Sequence, residues 1–168
     1  MRRMVRVLFV CMGNICRSPT AEAVMAHLVA GAGLADTVHL DSAGTGAWHV
    51  GNPPDERSAA AAAARGITLS GAARQVRPDD FTRFDLLLCA DAANVRDLLA
   101  LLPADDTDGR RRVRRLHAFD PAAVASGDLD VPDPYYGGPR GFEDVLDLVT
   151  RACAGLLDEI RAGAITAG

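Results

Sequence analysis

The sequence predicts an α/β protein: one domain, built as a three-layer sandwich with a four-stranded parallel sheet between helices. Three observations favour this class. Strand patterns alternate with helix patterns along the chain. The strand segments are nearly unbroken apolar runs, typical of strands buried on both faces. The 168 residues are 49% hydrophobic but only 5% aromatic, which suits one aliphatic core.

The strand predictions begin with the apolar run VRVLFVC. The four strands are predicted at residues 5–11, 38–44, 84–91 and 112–119. The last of these includes part of the basic run 110–115, which we interpret as an edge strand with charged flanks rather than a phosphate-binding patch.

Helices are predicted after each strand, at residues 18–33, 55–66, 92–102 and 142–163. In the first helix, Ser18 is placed to cap the N-terminus and Pro19 fits the first turn. The segment 120–141 is rich in Pro, Gly and Asp and is predicted as a long loop, a kind of segment that is usually functional or disordered.

Charge and composition exclude several classes of partner. Eighteen basic residues, all arginine, stand against 22 acidic ones, for a formal charge of −4. This balance argues against a surface for nucleic acid or anionic membranes. No apolar stretch approaches the ~20 residues of a membrane helix, and no signal peptide is evident. We therefore expect a cytoplasmic protein whose four cysteines are free.

Three chemically useful residues lie at or just past the ends of predicted strands. They are Cys11, Ser42 and Asp91. In a parallel sheet, ligands bind at the carboxyl ends of the strands. We therefore expect these residues to share one edge.

The segment from Cys11 to Ser18 has the composition of an anion-binding loop. A turn between a strand and a helix N-terminus directs backbone N–H groups at an anion. Gly13 and Asn14 permit unusual backbone angles, and Arg17 can grip two phosphate oxygens. The same field stabilises a Cys11 thiolate, a nucleophile for a phosphomonoester. Ser18 could stabilise the sulfur as a leaving group.

A carboxylic acid is also needed, to protonate the leaving oxygen. Asp133, between two prolines in VPDPYYGG, is the candidate. Tyr135 and Tyr136, the only tyrosines of the chain, adjoin it. We expect Tyr135 and the single tryptophan, Trp48, to clamp a flat ring at the mouth of the site.

These motifs resemble those of the low-molecular-weight protein tyrosine phosphatases. VLFVCMGNICRSPTAEAV and DPYYGG carry the resemblance, together with DSAGTGAWHVG, ARQ at 73–75 and FDLLLCAD. The resemblance implies the flavodoxin-like phosphotyrosine phosphatase I fold. It implies Cys11 as nucleophile, Arg17 as binder of phosphate and transition state, and Asp133 as general acid and then base.

The resemblance also implies roles for the residues around the nucleophile. The phosphate-binding loop would comprise Met12, Gly13, Asn14, Ile15, Cys16, Arg17 and Ser18. Asn14, Ser18 and Ser42 would form its supporting network, Trp48, Tyr135 and Tyr136 its aromatic rim, and Cys16 a reversible disulfide with Cys11. No metal or cofactor is implied. Gly71 departs from the family, because many relatives carry near this position a histidine that braces the loop asparagine.

Three alternatives remain open. Arsenate reductase shares the loop but needs two further cysteines seven residues apart; Cys89 is followed at that spacing by Arg96. Cys89 and Cys153 are therefore interpreted as core residues. Protein arginine phosphatases tend to have threonine where this chain has Ile15, which favours packing against a ring. A phosphate-binding module would need neither thiolate nor acid.

The sequence also sets expectations for organisation and partners. One phosphatase domain is predicted over residues 1–163, followed by a short flexible tail at 164–168. Phosphotyrosine proteins or peptides are expected as substrates, and inorganic phosphate or similar oxyanions as loop ligands. A monomer or weak dimer is expected, with no nucleic acid or membrane partner.

Overall fold

In the computed structural model, which describes residues 3–165, the four strands form one parallel sheet. The strands are β1 (Val5–Cys11), β2 (Val38–Gly44), β3 (Leu86–Cys89) and β4 (Val113–Arg115). Their order is β2-β1-β3-β4, so β1 pairs in parallel with both β2 and β3. The predicted four-stranded parallel sheet is confirmed.

Seven α-helices are described between and after the strands. They are α1 (Arg17–Gly31), α2 (Glu56–Ala63), α3 (Asp80–Arg83), α4 (Ala92–Leu99), α5 (Thr107–Arg112), α6 (Pro121–Ser126) and α7 (Arg140–Arg161). The short helices α3 and α5 were not predicted from the sequence. Within residues 3–165, none of the helices has the length and apolar character needed to cross a membrane.

The sheet is buried on both faces, which explains the continuous apolar run of β1. Val7 and Phe9 point to one face, into a core shared with α1 and α7. Leu8 and Val10 point to the other face, where Leu98 of α4 packs. Successive strand residues face opposite sides, so both sides of β1 are apolar. The three-layer arrangement is confirmed.

The predicted strand at 112–119 is only partly correct. β4 ends at Arg115, and Leu116–Phe119 forms a 3-10 helix. Leu116 and Phe119 both belong to the core beside α7. A strand would send residues of opposite parity to opposite faces, whereas a 3-10 turn brings residues three apart to one side.

The predicted loop at 120–141 is also partly wrong, because it contains α6. The Asp120 side chain accepts a hydrogen bond from Ala122 N (3.0 Å), Pro121 occupies the first turn, and Gly127 ends the helix at φ +80°. These are ordinary helix start and stop signals. The remainder of the segment carries Asp133 and no regular structure before α7.

The end of α7 lies beside the start of β1, far from the Cys11 end of the sheet. A groove of about 710 Å³ there is lined by Arg3, Val5, Ile160 and Ile165, among others. Ala164 N donates to Glu159 O (2.9 Å). The other part of the predicted tail, residues 166–168, lies outside the described residues.

Candidate active site

The site lies where the strand order changes direction, between β1 and β3. Cys11 is the last residue of β1, and Asp91 caps α4 just beyond β3. Ser42 lies in β2, opposite Phe9. The carboxyl ends of adjacent parallel strands bound the usual ligand crevice of such a sheet. The shared edge predicted from the sequence is therefore present.

The loop of residues 11–18, called here the Cys11 loop, wraps polar groups around a buried sulfur. Cys11 is only 3% exposed. Its Sγ lies 3.0 Å from Ser18 Oγ and accepts a hydrogen bond from Asn14 N at 3.3 Å. Both contacts favour negative charge on the sulfur, since an N–H and a hydroxyl donate to a thiolate.

Asn14 braces this loop from within. Its backbone is left-handed (φ +56°), a conformation that asparagine tolerates better than most residues. Its Nδ2 donates to Ser18 Oγ (2.8 Å) and to Ser42 Oγ (3.0 Å). Its Oδ1 accepts from Arg74 N (3.0 Å). A backbone N–H of the ARQ segment thus supports the asparagine where Gly71 offers no side chain.

Ser18 does not cap α1, contrary to the sequence prediction. The helix begins at Arg17, and Cys16, at the N-cap, makes no side-chain cap bond. The Ser18 hydroxyl is instead turned toward Cys11 and Asn14. Without a side-chain cap, the first helical N–H groups remain directed at the Cys11 loop, where the helix dipole favours an anion.

The loop after β2 packs closely against the Cys11 loop. Thr45 N donates to Cys11 O, and Gly46 N donates to Met12 O, both at 2.9 Å. A Cβ on Gly44 would lie 2.7 Å from Met12 O, so only glycine permits this approach. The backbone of the Cys11 loop is therefore fixed by main-chain contacts as well as by Asn14.

Arg17 is buried and held by groups from two other elements. Its Nη1 donates to Asp91 Oδ2 (2.6 Å) and to Val131 O (3.1 Å). Its Nη2 lies 3.6 Å from Asp133 Oδ2. Burial opposes the charge, but Cys11 and Asp91 more than offset it and raise the pKa of Arg17. The guanidinium therefore stays charged, in one orientation.

The segment 131–139, called here the Asp133 loop, brings the predicted acid to the same place. Asp133 Oδ1 accepts from Tyr135 N (3.0 Å). Tyr135 and Tyr136 make an edge-to-face pair with centroids 4.8 Å apart. A cavity of about 60 Å³ is lined by the Cys11 loop, the Asp133 loop and His49 of the loop after β2: Cys11, Met12, Gly13, Ile15, Cys16, Arg17, His49, Asp133, Tyr135 and Tyr136.

Trp48 is not among these lining residues, and its side chain is 77% exposed. His49 lines the cavity instead, with its ring centroid 6.1 Å from that of Tyr135. In this structure His49, rather than the expected Trp48, therefore faces Tyr135. Only the conformation of the turn after Gly46 decides which of two adjacent side chains faces inward.

The remaining cysteines differ in burial and surroundings. Burial, opposed in part by a hydrogen bond with Ser58, raises the pKa of Cys16 to about 12. Burial also raises the pKa of the Cys89 and Cys153 thiols, and both side chains lie in apolar cores. Across residues 3–165, no three His, Cys, Asp or Glu side chains are grouped to hold a metal ion.

Comparison with known proteins identifies the family of this site. The Low molecular weight phosphotyrosine protein phosphatase family matches residues 6–164. A low molecular weight protein-tyrosine-phosphatase of Streptomyces coelicolor is 51% identical over 93% of both chains.

Solved structures share the fold. A protein tyrosine phosphatase from Entamoeba histolytica, with Hepes in its active site, superposes with TM-score 0.88 at 35% identity, covering 95% of this chain and 99% of the other. A Drosophila arginine phosphatase superposes with TM-score 0.84 at 29% identity, covering 92% and 97%. The family match and the 51% identity agree with the resemblance carried by the sequence motifs. The chain belongs to the low molecular weight phosphotyrosine protein phosphatases.

Proposed function

We propose that this phosphatase hydrolyses phosphotyrosine and small aryl phosphates through a phosphocysteine intermediate, with Asp133 as general acid and base. One observation carries the proposal. The Cys11 sulfur, the Arg17 guanidinium and the Asp133 carboxyl all line one small cavity at a helix N-terminus. A binding module needs the anion site but has no use for a thiolate and an acid beside it.

In the first step, the Cys11 thiolate attacks phosphorus. The S–P bond forms as the bond to the aryl oxygen breaks, and Asp133 gives its proton to that oxygen. Arg17 and the N–H groups of the Cys11 loop stabilise the equatorial oxygens. Because Asp91 and Val131 O hold Arg17 Nη1, the Arg17 guanidinium needs no reorientation during the reaction.

In the second step, water attacks the phosphocysteine. Asp133, now a carboxylate, takes the proton from the water, and the S–P bond breaks to release inorganic phosphate. The Ser18 hydroxyl, 3.0 Å from the sulfur, donates to the departing thiolate. Asn14 keeps Ser18 in place through its own amide. The enzyme returns to its starting state without a cofactor.

The walls of this cavity are partly apolar, as the ring of an aryl phosphate requires. Tyr135 and the exposed Met12 offer apolar surface above the sulfur. A ring stacked between two others needs about 7 Å, twice the usual carbon contact distance. The His49 and Tyr135 centroids are only 6.1 Å apart. We therefore propose that His49 turns outward when phosphotyrosine enters.

Phosphoarginine is the second candidate substrate, because an arginine phosphatase shares the fold. Ile15 favours phosphotyrosine. It is 8% exposed and packs with Phe142 and Ala73, so the loop offers an alkyl group where a threonine hydroxyl could assist a guanidine. Turnover of a phosphotyrosine peptide and of phosphoarginine, compared on the same enzyme, separates the two. Faster phosphoarginine turnover would reverse the assignment.

The supporting experiment is hydrolysis of p-nitrophenyl phosphate in reductant without added metal. Cys11→Ser should lower turnover by more than about 10⁴-fold. Cys153→Ser, the same atom exchange in a buried core, should retain activity. If Cys11→Ser retained turnover, the phosphocysteine route would be wrong. If the wild type, properly folded, did not turn over, the protein would be a phosphate-binding module.

We further propose a cytoplasmic monomer or weak dimer that acts on phosphotyrosine proteins and has no nucleic acid partner. All four cysteines are free and buried, which suits a reducing compartment. The net charge of −4 does not favour a polyanion.

A further inference from the structure

Arg57 links the loop that carries the sulfur to the loop that carries the acid. It lies in the first turn of α2, and its guanidinium grips Asp55 through Nε (3.1 Å to Oδ1) and Nη2 (2.9 Å to Oδ2). Asp55 N in turn donates to Ile15 O at 2.8 Å. One end of this link is therefore anchored on the Cys11 loop.

The other end of the link reaches the Asp133 loop. Arg57 Nη1 donates to Tyr135 O (3.1 Å). The guanidinium also covers the rings of Tyr135, at 5.3 Å from the centroid, and Phe142, at 4.7 Å. Tyr135 N donates to Asp133 Oδ1. Tyr135 therefore contacts both residues: its N–H orients the Asp133 carboxyl, and its carbonyl oxygen accepts from Arg57.

We propose that Arg57 is a positioning residue that sets the Asp133 carboxyl against the leaving oxygen. The inference rests on the proposed role of Asp133 as general acid. A one-ångström displacement of an acid can cost about 100-fold in rate. Val131 and Pro134 of the Asp133 loop are buried, but the acid and the residue after Tyr135 are not: the Asp133 side chain is 38% exposed and Tyr136 is 91% exposed, so few other contacts oppose such a displacement.

Two simpler roles fit Arg57 less well. A tether to α7 already exists in Arg65, which lies just past the end of α2 and pairs with Glu143 (2.7 Å) and Asp147 (2.8 Å). Direct substrate binding would need guanidinium N–H groups directed at the cavity. Those of Arg57 point to Asp55 and Tyr135 O, and Arg57 does not line the cavity.

The test compares two substrates that differ in their need for an acid. p-Nitrophenyl phosphate has a good leaving group, whereas phenyl phosphate releases a phenol with a pKa near 10, like that of tyrosine. Since kcat/KM reports the steps up to cleavage of the P–O bond, acid misplacement lowers it more for phenyl phosphate. For Arg57→Ala we expect a loss of roughly 30-fold with phenyl phosphate and about threefold with p-nitrophenyl phosphate.

The controls distinguish the possible failures. Arg65→Ala, which removes only the tether to α7, should lower kcat/KM for both substrates by the same factor, below about twofold. Arg57→Lys keeps the charge but not the fork, so its loss should be intermediate; it carries the test if Arg57→Ala does not fold. In an Asp133→Asn background, Arg57→Ala should add no further dependence on the leaving group.

Equal losses for the two substrates in the Arg57 variants would overturn the positioning role and leave Arg57 a structural residue. If Asp133→Asn itself showed no dependence on the leaving group, the assignment of Asp133 as the acid would be wrong, which is a failure of the proposed function.

Discussion

The two loops that form the site are stabilised in different ways. Apart from Met12 and Gly13, the Cys11 loop is buried, and its polar groups bond to β2, to the ARQ segment and to α1. The Asp133 loop is anchored at buried Val131, but its exposed part beyond Val131 is held by Arg57 at Tyr135, by the turn at Asp133 and by the ion pair of Asp133 with Arg17. A nucleophile and the backbone groups that bind an anion need fixed positions. The loop that carries the acid must instead let the substrate enter and leave. The contrast suits a rigid phosphate site covered by a more mobile proton donor.

Removal of the acid should have the largest effect on the exposed loop. Asp133→Asn should lower kcat/KM for phenyl phosphate by about 10²–10³-fold, because the leaving oxygen loses its proton donor. The alkaline limb of the pH profile should flatten as well. Steady-state kinetics from pH 4 to 9 would measure both. Asp130→Asn, an isosteric change in the preceding segment, should cost less than twofold; an equal loss there would mean that the loop, not the acid, was damaged.

The buried loop should respond to Asn14→Ala in both stability and rate. The change leaves the hydroxyls of Ser18 and Ser42 and the Arg74 N–H without their partner, and puts alanine in a left-handed conformation. We expect a loss of about 3 kcal/mol in the free energy of unfolding and about tenfold in kcat/KM.

Denaturant unfolding and p-nitrophenyl phosphate kinetics would measure the two effects of Asn14→Ala. Leu98→Ala, in the core on the other face of the sheet, should cost a similar free energy of unfolding with kcat unchanged. A fall in kcat for Leu98→Ala as well would show that the rate follows overall stability, and the contrast between the loops would disappear.

The smallest effect on basal activity is expected for Cys16→Ser. This variant tests whether Cys16 forms a reversible disulfide with Cys11 under oxidation. Peroxide should oxidise the Cys11 thiolate to a sulfenic acid, and the Cys16 thiol should displace water from it to form a disulfide that thiols reduce. With its pKa raised to about 12, Cys16 stays protonated at neutral pH and competes poorly for peroxide. The reduced variant should be nearly as active as the wild type.

After peroxide, Cys16→Ser should recover much less activity with thiol than the wild type does. Recovery to the same level would show that Cys16 gives no protection. Intact-mass measurement before and after thiol treatment would distinguish a disulfide from sulfinic acid.

The fold was predictable where the spacing of apolar residues along the chain reflects which side chains are buried. The apolar runs located all four strands, and the segments between and after them predicted α1, α2, α4 and α7, although Ser18 does not cap α1. The predicted fourth strand was too long because the change from strand to 3-10 helix at Leu116 depends on packing against α7. Helix α6 was not predicted, although Asp120, Pro121 and Gly127 are recognisable start and stop signals.

For the site, the sequence indicated the residues proposed to react, Cys11, Arg17 and Asp133, through their types and order. The family resemblance added Asn14, Ser18 and Ser42, and in the structure Asn14 is hydrogen-bonded to both serines. Asp91 was placed at the right edge of the sheet without its contact to Arg17. Arg57 and Arg74 were not identified, because the roles of both depend on contacts between segments far apart in sequence, which no local pattern reports.

The positions of Arg3 and Ile165, the first and last described residues, have a practical consequence. β1 runs from Val5 to Cys11, a span of about 20 Å for seven strand residues, and the end of α7 lies beside its start. A reporter, or a linker that fixes the protein to a sensor chip, would lie on the side away from the mouth if it were attached at Arg3 or Ile165. Phosphopeptides should reach the immobilised enzyme as readily as the free one.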